Sequence, residues 1–304
     1  MKVLIVTSGN KKTISPFVKE QAQSLGLVGI EIDYFLIRGK GTFGYLKNYF
    51  SLVEKLTKIE YDLVHAHYGL SGLLATLQRI TPVIVTFHGS DVNFKKNYFY
   101  SLVASKLSSA NVFVHRKLAN DLKYFSSKNS IIPCGVDTKT FHPILKAKAR
   151  KKLNWKPNIN YVLFSSSFEN KIKNVSLAKS ALKKIQNTVL IELKNFKKNE
   201  INLMLNACDM LLVTSLSETG PIIVKEALSC NCPVVSTNVG DVKEIIKNVD
   251  NCYLTDYNSD NLSEIIQKVI KLNIRSNGRN FVKKYGLNTI AKKIFKIYRE
   301  VKIK

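Results

Sequence analysis

The chain of 304 residues contains no run of apolar residues long enough to cross a bilayer. A membrane-spanning helix needs about 18 or more apolar residues in succession. The apolar stretch Val3–Thr7 gives way at once to Ser8-Gly9-Asn10, and it is too short for the apolar region of a secretory signal peptide. We therefore expect a cytoplasmic protein, either in solution or at the inner face of the cytoplasmic membrane.

Cysteine is also scarce, and its five copies are scattered along the chain at Cys134, Cys208, Cys230, Cys232 and Cys252. The Cys230-Asn231-Cys232 pair has no second pair and no nearby histidine to complete a metal site. The odd number and irregular spacing favour buried, reduced thiols, which agree with a cytosolic compartment.

Acidic residues are few: 22 Asp and Glu stand against 47 Lys and Arg, which gives a net charge of +25. The excess is spread over both halves of the chain, and only seven of the basic residues are Arg. Because proteins that read bases favour Arg, and no zinc finger or RNA-binding motif is present, we expect no nucleic-acid partner. Two interpretations of the charge stay open. One is a uniformly lysine-rich enzyme, and the other is peripheral contact with an anionic membrane through segments such as Lys95–Tyr100.

Short apolar runs alternate with helical patterns along the whole chain, as in Val3–Val6, Val83–Phe87 and Val234–Ser236. This alternation predicts an α/β fold with parallel sheets that are covered by helices on both faces. The length suggests two domains of about 150 residues. Proline and glycine between residues 133 and 157 mark the boundary. We predict domains over residues 1–143 and 144–287, followed by a helix over residues 288–304.

The most informative segment carries two glutamates, Glu218 and Glu226, between two predicted strands. Glu218 follows the strand Asp209–Val213, at the strand end where ligands bind in doubly wound sheets. Gly220 lets the backbone approach a ligand closely. A helix that begins near Pro221 would direct unpaired N–H groups at an anion such as a phosphate. The segment therefore predicts a nucleotide-sugar site.

Further motifs follow in a fixed order along the chain: His65-Ala66-His67-Tyr68-Gly69, Thr86–Asp91, Ile132–Asp137 with Phe141 and Pro143, Phe164–Ser166 with Lys173-Asn174, and Val239–Asp241 with Glu244. Together with the Glu-x7-Glu spacing, they resemble the retaining glycosyltransferases of the family 4 type, also called glycosyl transferases group 1. The resemblance implies the GT-B fold, in which two Rossmann-like doubly wound domains face a central cleft. It also implies that the C-terminal helix packs back on the N-terminal domain.

On the donor side, the resemblance implies that Glu218 contacts the sugar and that Glu226 bonds the ribose hydroxyls. A bidentate carboxylate suits two adjacent hydroxyls. In the family a glycine commonly follows the first glutamate directly, whereas here Thr219 stands first and Gly220 is displaced by one position. This departure affects which N–H groups near Pro221 would reach the phosphate. It does not change the roles assigned to the two glutamates.

The departing diphosphate of a nucleotide sugar needs cationic or N–H stabilisation. The sequence contains no Asp-x-Asp motif of the kind that holds Mn²⁺ or Mg²⁺ in many glycosyltransferases. We therefore expect no metal cofactor, and expect the charge to come from the protein. Lys173 lies between a predicted strand and a helix and matches a family position that contacts the diphosphate. Lys171 is the candidate second cation, at a shifted spacing.

Four further residues are candidates in the first half of the chain. The resemblance implies that His88, at a predicted strand end, contacts the donor sugar, and Asp91 would orient His88 or the acceptor. His67 either lines the acceptor pocket or packs in the core. Gly9 either directs backbone N–H groups at the diphosphate or is an ordinary turn glycine.

The sequence thus predicts a retaining, metal-independent glycosyltransferase that moves a sugar from a nucleotide-sugar donor to a glycan or lipid-linked acceptor, in bacterial surface polysaccharide synthesis. The catalytic candidates are His88, Glu218 and Lys173. The alternative is a catalytically inactive GT-B scaffold or glycan-binding subunit, which the altered Thr219-Gly220 loop leaves open.

Overall fold

The computed structural model describes residues 1–10, 14–123 and 129–303. The chain divides into two compact units. The first comprises Met1–Gly135 together with the C-terminal segment from Leu287 onward, and the second comprises Val136–Gly286.

The first unit is built on a six-stranded sheet of order β2-β1-β3-β4-β5-β6, and all its neighbouring strands are parallel. The strands are β1 (Lys2–Ser8), β2 (Glu31–Ile37), β3 (Leu63–His67), β4 (Val83–Phe87), β5 (Ala110–Phe113) and β6 (Asn129–Ile131). The connecting helices are α1 (Pro16–Gly26), α2 (Gly41–Leu46), α3 (Tyr49–Lys58), α4 (Gly69–Leu77), α5 (Ser90–Asn93), α6 (Lys95–Leu107) and α7 (Arg116–Asp121).

Both faces of this sheet are buried, as the unbroken apolar run in β1 requires. Val3 and Ile5 pack into one apolar cluster, while Leu4 and Val6 pack into another on the opposite face. The amphipathic C-terminal helix (Leu287–Lys302) covers the first of these faces, with Ile290, Ile294 and Tyr298 almost fully buried. Their spacing of four places all three on one side of the helix.

The second unit has a five-stranded parallel sheet of order β11-β10-β9-β7-β8. Its strands are β7 (Asn160–Phe164), β8 (Thr188–Glu192), β9 (Met210–Val213), β10 (Val234–Thr237) and β11 (Tyr253–Thr255). Its helices are α8 (Lys146–Lys152), α9 (Val175–Leu182), α10 (Lys198–Ala207), α11 (Ile222–Ser229), α12 (Val242–Ile246), α13 (Ser259–Leu272) and α14 (Gly278–Val282), with 3₁₀ turns at Lys171–Lys173 and Lys283–Tyr285.

Both faces of the second sheet are buried as well. Leu163 and Leu211 belong to one apolar cluster, and Val162 and Leu212 to the cluster on the other face. The strand order reverses beside β7, because β8 lies on one side of it and β9 on the other. The loops after β7 and β9 therefore diverge from a common point, which is where open α/β sheets bind their ligands.

The first unit ends at Gly135, before the boundary that we predicted after residue 143. The segment that follows is held by the second unit. Val136 and Phe141 are buried in its core, and the Arg279 guanidinium donates hydrogen bonds to the carbonyls of Phe141 and Thr138. Pro133, Gly135 and Pro143 all interrupt regular structure, so their positions alone do not show which of them marks the domain boundary. The long-range contacts that decide it cannot be read from the sequence.

Among the described residues, no helix has both the length and the apolar character that crossing a membrane requires.

Candidate functional site

The carboxyl ends of β3 and β4 bring together two of the predicted residues of the first unit, His67 and His88. The Nδ1 of His67 lies 3.0 Å from the Nε2 of His88, and the two rings are stacked. One of these nitrogens must donate and the other accept, so the pair shares a single N–H. On the far side of His67 its ring stacks on His65, which is bonded to the hydroxyls of Tyr298 and Thr86.

These histidines are held in their neutral form. Burial lowers the pKa of His65 to about 3. Burial, reinforced by the proximity of His65, also lowers the pKa of His88 to about 3. For His67, burial and then the neighbouring histidines hold the pKa well below its usual range. At neutral pH His88 is therefore a hydrogen-bonding imidazole and not a cation.

Three residues to which the sequence analysis assigned no role in the site complete the surroundings of His88. The rings of Tyr68 and Phe17 lie 4.7 and 4.8 Å from the His88 ring, between centroids. The Sγ of Cys134 is 4.0 Å from its Nδ1. Tyr68 has a φ of 72°, a conformation that is costly for a bulky residue and that clusters at functional sites.

Asp91 supports the loop of His88 through backbone bonds. Its carboxylate accepts hydrogen bonds from the N–H groups of Gly69, His88 and Gly89, at 2.7–3.3 Å. Burial raises the pKa of Asp91 to about 6, against the opposing effect of these N–H groups. Asp91 is only 4% exposed, and these bonds tie the loops after β3 and β4 together. They hold the backbone of His88, while the role of Asp91 toward the His88 side chain or the acceptor stays a prediction.

Gly9 follows β1, but its N–H group is not free for a phosphate, because it donates to the carbonyl of Ile37 at 2.7 Å. A Cβ atom at this position would lie 2.8 Å from the Cβ of Leu36. The structure therefore explains Gly9 by the close approach of β2. The N–H of Gly9 itself is thus engaged by Ile37, and the predicted role of backbone N–H groups at this turn in diphosphate binding stays a prediction.

In the second unit, the loops after β7 and β9 bring Lys173 and Glu218 into an ion pair. The hydroxyl of Thr214 donates to the carbonyl of Lys173 at 2.8 Å, and the N–H of Leu216 donates to Ile172 at 2.8 Å. These bonds tie the two loops side by side. The hydroxyl of Ser215 donates to Oε1 of Glu218 at 2.8 Å and fixes the carboxylate further.

Lys171 stands at the start of the same 3₁₀ turn, and its side chain is exposed. The ion pair with Glu218 is made by Lys173, so the structure separates the two predicted lysines. One lies inside the loop arrangement and the other lies at its surface.

The segment Thr219-Gly220-Pro221 leads into α11, which begins at Ile222. A Cβ atom on Gly240, whose φ is +55°, would lie 2.8 Å from the carbonyl oxygen of Thr219. On Gly220, a Cβ atom would lie 3.2 Å from Oδ2 of Asp241. The N–H of Val224 donates to the carbonyl of Pro221 at 3.1 Å. The two N–H groups before it, of Ile222 and Ile223, belong to the helix start that can receive an anion. The loop after β10, which contains Gly240 and Asp241, thus packs directly against Thr219 and Gly220.

Beneath Gly220, Lys225 and Asp241 form a buried ion pair with an Nζ–Oδ2 distance of 3.2 Å. Lys225 is only 1% exposed, and its ammonium group lies 5.1 Å from the centre of the Tyr285 ring. Oδ1 of Asp241 is buried without a hydrogen-bond partner among the described residues. Glu226, the next residue of α11, is half-buried.

Comparison with known families agrees with this arrangement. A family model described as Glycosyltransferase Family 4 matches residues 2–140, and one described as Glycosyl transferases group 1 matches residues 190–288. The two models match different parts of the chain, and both identify it as a glycosyltransferase. The predicted enzyme class is confirmed.

Two curated relatives of this glycosyltransferase act on lipid-linked sugars, as their names state. One is the Escherichia coli UDP-Gal:alpha-D-GlcNAc-diphosphoundecaprenol alpha-1,3-galactosyltransferase, 27% identical over 300 residues, covering 79% of this chain and 77% of that protein. The other is the N,N'-diacetylbacillosaminyl-diphospho-undecaprenol alpha-1,3-N-acetylgalactosaminyltransferase of Campylobacter jejuni, 25% identical over 335 residues, covering 93% and 89%.

Among solved structures, Anabaena Alr3699/HepE in complex with UDP and glucose matches this glycosyltransferase with a TM-score of 0.77 at 18% identity. The match covers 97% of this chain and 98% of that chain. The likeness concerns the fold, and it confirms the predicted GT-B class.

Within the described parts of the glycosyltransferase, no cluster of three or more His, Cys, Asp or Glu side chains is arranged to hold a metal ion. The cationic groups near Glu218 and Gly220 are Lys173 and Lys225. The position of Lys173 after a predicted strand was a signal in the sequence. No such signal marked Lys225, since its partner lies on the far side of β10.

Proposed function

We propose that this glycosyltransferase binds a nucleotide-sugar donor in its second unit and transfers the sugar, with retention of configuration, to a glycan or a lipid-linked acceptor. The observation that carries the proposal is the Lys173–Glu218 pair beside the start of α11. It places a cation, a carboxylate and unpaired helix N–H groups at the point where the strand order reverses.

The roles follow from charge. A diphosphate competes with Glu218 for the ammonium group of Lys173 and accepts hydrogen bonds from the first N–H groups of α11. Glu218, released from Lys173, is then free to accept from hydroxyls of the donor sugar. As the sugar–phosphate bond breaks, negative charge grows on the diphosphate, so Lys173 stabilises the transition state more than the bound donor.

We propose that the reaction needs no metal ion. Two observations support this proposal. Lys173 and Lys225 lie near the loop proposed to bind the diphosphate, and the sequence has no Asp-x-Asp motif. UDP-sugars are the first donors to test, because the name of the E. coli relative specifies UDP-Gal. For the acceptor we propose an undecaprenyl-diphosphate-linked sugar, as in the names of both relatives.

The test incubates the full chain with UDP-, GDP- and ADP-sugars and a diphospholipid-linked sugar acceptor, in EDTA and in Mn²⁺. Mass spectrometry should detect one added sugar in EDTA, and NMR of the product should show the anomeric configuration of the donor. Turnover that disappears in EDTA and returns with Mn²⁺ would refute the metal-free mechanism. An inverted product would refute retention. Absence of a thermal shift with UDP, GDP and ADP would favour the inactive scaffold.

We further propose peripheral contact of the first unit with anionic membrane. The hydroxyl of Thr42 donates to that of Tyr100 at 2.8 Å, which places α2 beside α6. Phe43 is 83% exposed and Phe99 is 65% exposed, and lysines at positions 40, 47, 95 and 96 are exposed around them. Apolar rings with surrounding lysines suit an interface between lipid and water. We expect the protein to sediment with anionic vesicles at low salt and to do so less at high salt. Equal amounts of protein in the supernatant with anionic and with neutral vesicles at low salt would contradict the membrane contact.

A further inference from the structure

A cavity lies in the second unit, away from the Lys173–Glu218 pair. Its volume is about 780 Å³, within the range of small-molecule binding sites. Asn160 opens β7 and Asp209 directly precedes β9, and both line the cavity. The cavity is therefore at the amino ends of these strands, whereas Lys173 and Glu218 follow their carboxyl ends.

The walls of this cavity are basic. Four cations line it, at Lys146, Arg150, Lys151 and Lys271, against a single acidic residue, Asp209. Asp209 is fully engaged. Its Oδ1 accepts from Lys146 at 2.5 Å, and its Oδ2 accepts from Arg150 at 2.9 Å and from the N–H of Tyr161 at 2.7 Å. Lys151 and Lys271 are exposed, with no further acid in the lining, so the cavity has a positive charge to offer a ligand.

The cavity also has one rigid aromatic wall. Trp155, the only tryptophan of the chain, stacks on Tyr161 with ring centroids 4.2 Å apart and an interplanar angle of 21°. Arg150 lies over the other ring of this pair, 5.2 Å from the centroid of Tyr161. Trp155 remains half-buried and contributes to the lining. A flat, fixed indole provides an apolar surface on which the C–H face of a sugar ring can pack.

We propose that this cavity is a second binding site, for an anionic oligosaccharide whose carboxylate or phosphate groups meet Lys151 and Lys271 while one sugar ring packs on Trp155. The identity of the ligand as a sugar chain rests on the proposed function, since an enzyme that extends glycans works in the presence of such chains. The positive charge and the aromatic wall of the cavity are features of the structure and do not depend on the proposed function.

Arg150 argues against a nucleic acid in the same place. Its Nε donates to the carbonyl of Ala207, its NH1 to the carbonyl of Pro157 and its NH2 to Asp209. The planar guanidinium that best recognises phosphates and bases is thus turned into the protein. What remains for the ligand is two flexible lysines and a single ring, where nucleic-acid grooves use a series of stacking platforms.

The sole tryptophan makes the site directly observable, because its fluorescence reports on this cavity in the unmodified full chain. A tetrasaccharide of galacturonic acid should change the fluorescence in a saturable way, whereas neutral maltotetraose and an oligothymidylate should bind at least about tenfold more weakly. The variant Lys151→Gln/Lys271→Gln should weaken tetragalacturonate binding about tenfold, since two exposed charge contacts are lost.

Lys183→Gln/Lys247→Gln is the matched control, because both lysines are exposed in the same unit and neither lines the cavity. It should keep the parental affinity, and both variants should bind UDP as the parent does. The proposal is overturned by an unchanged fluorescence, by equal or tighter binding of oligothymidylate, or by the same loss of affinity in the control variant. If UDP fails to bind any of these proteins, the proposed function fails while the fluorescence result stands by itself.

Discussion

The ammonium group of Lys173 and the carboxylate of Glu218 form an ion pair across two loops that are 45 residues apart in sequence. Their side chains are only 18% and 15% exposed, so each group has given up much of its hydration in exchange for the other. The pair lies where the second sheet reverses its strand order. In the proposed function a bound diphosphate competes with Glu218 for Lys173, and this competition predicts opposite effects on UDP affinity when either partner is removed.

Removal of the cation should weaken nucleotide binding. In Lys173→Ala we expect UDP affinity to fall by about 1.5–3 kcal/mol, the usual contribution of a hydrogen bond to a charged group, and turnover to fall further. In Glu218→Gln the lysine loses its competitor, so UDP should bind as well as before or more tightly, while turnover collapses. Isothermal calorimetry with UDP and a donor-consumption assay measure both quantities.

Lys171→Ala provides the control for this pair of variants, because it removes a nearby exposed lysine from the same turn. Its effect on UDP affinity should be smaller than that of Lys173→Ala. Weaker UDP binding in Glu218→Gln than in the parent would show that Glu218 does not compete with the phosphates for Lys173.

Glu226 allows a test of ribose recognition that is independent of turnover. We expect Glu226→Ala to lose about 1–3 kcal/mol of UDP affinity, because two hydroxyls of the ribose would be left poorly paired. The parent should also bind 2'-deoxy-UDP more weakly than UDP, and the variant should no longer distinguish the two. Calorimetry on the four combinations gives the coupling energy. If the variant retains the full preference for UDP, a different group reads the ribose.

The glutamate segment was predictable because its signals are local. The apolar run Met210–Val213, the Gly220-Pro221 pair and the helical pattern up to Ser229 lie next to one another in the sequence, and the structure has β9, a loop and α11 in that order. The family motifs added the enzyme class. The same local reasoning gave the alternating strands and helices of both units.

Contacts between distant residues were not predictable in this way. The N–H of Gly9 donates to the carbonyl of Ile37, and the N–H of Gly69 donates to the carboxylate of Asp91, 22 residues further along the chain. Neither partner can be read from local spacing. The Lys225–Asp241 pair is a similar case, because β10 separates the two residues in sequence and brings them together in space. From the sequence alone, a lysine in a helix is expected to be exposed, and only the neighbouring elements of the fold show that Lys225 is buried.

Breaking the buried Lys225–Asp241 pair should destabilise the second unit. Lys225→Met leaves the carboxylate of Asp241 buried without its cation, and we expect a loss of about 3–5 kcal/mol in the free energy of unfolding. The double variant Lys225→Met/Asp241→Asn removes the uncompensated charge and should be more stable than Lys225→Met alone. Urea unfolding followed by the fluorescence of Trp155 reports on this unit. Equal destabilisation of the single and double variants would show that the two charges are not coupled.

Asp91 predicts a pH dependence in the first unit. Since burial raises its pKa to about 6 from an ordinary value near 3.8, the folded state holds the proton more tightly than the unfolded chain. Its contribution to stability is therefore complete below about pH 4 and is lost as the pH rises through 6, by roughly 3 kcal/mol in total. Asp91→Asn cannot titrate, so its stability relative to the parent should improve by that amount between pH 4 and 7. The opening free energies of β3 and β4 amides, from native-state hydrogen exchange, measure the difference.

The neighbouring histidines act in the opposite direction, because their lowered pKa values make the folded state lose stability as the pH falls below 6.5. They are present in both proteins and largely cancel in the difference. Asp137→Asn is the control. Burial acts to raise the pKa of Asp137, but hydrogen bonds from Thr140 and Lys139 outweigh it and hold the pKa below its usual value, so its contribution is lost only as the pH falls below about 4. Because Asp137 belongs to the second unit, its variant is read from the β7 and β9 amides, and its difference from the parent should be flat from pH 4 to 7. A flat difference for Asp91→Asn in the β3 and β4 amides would show that Asp91 ionises normally.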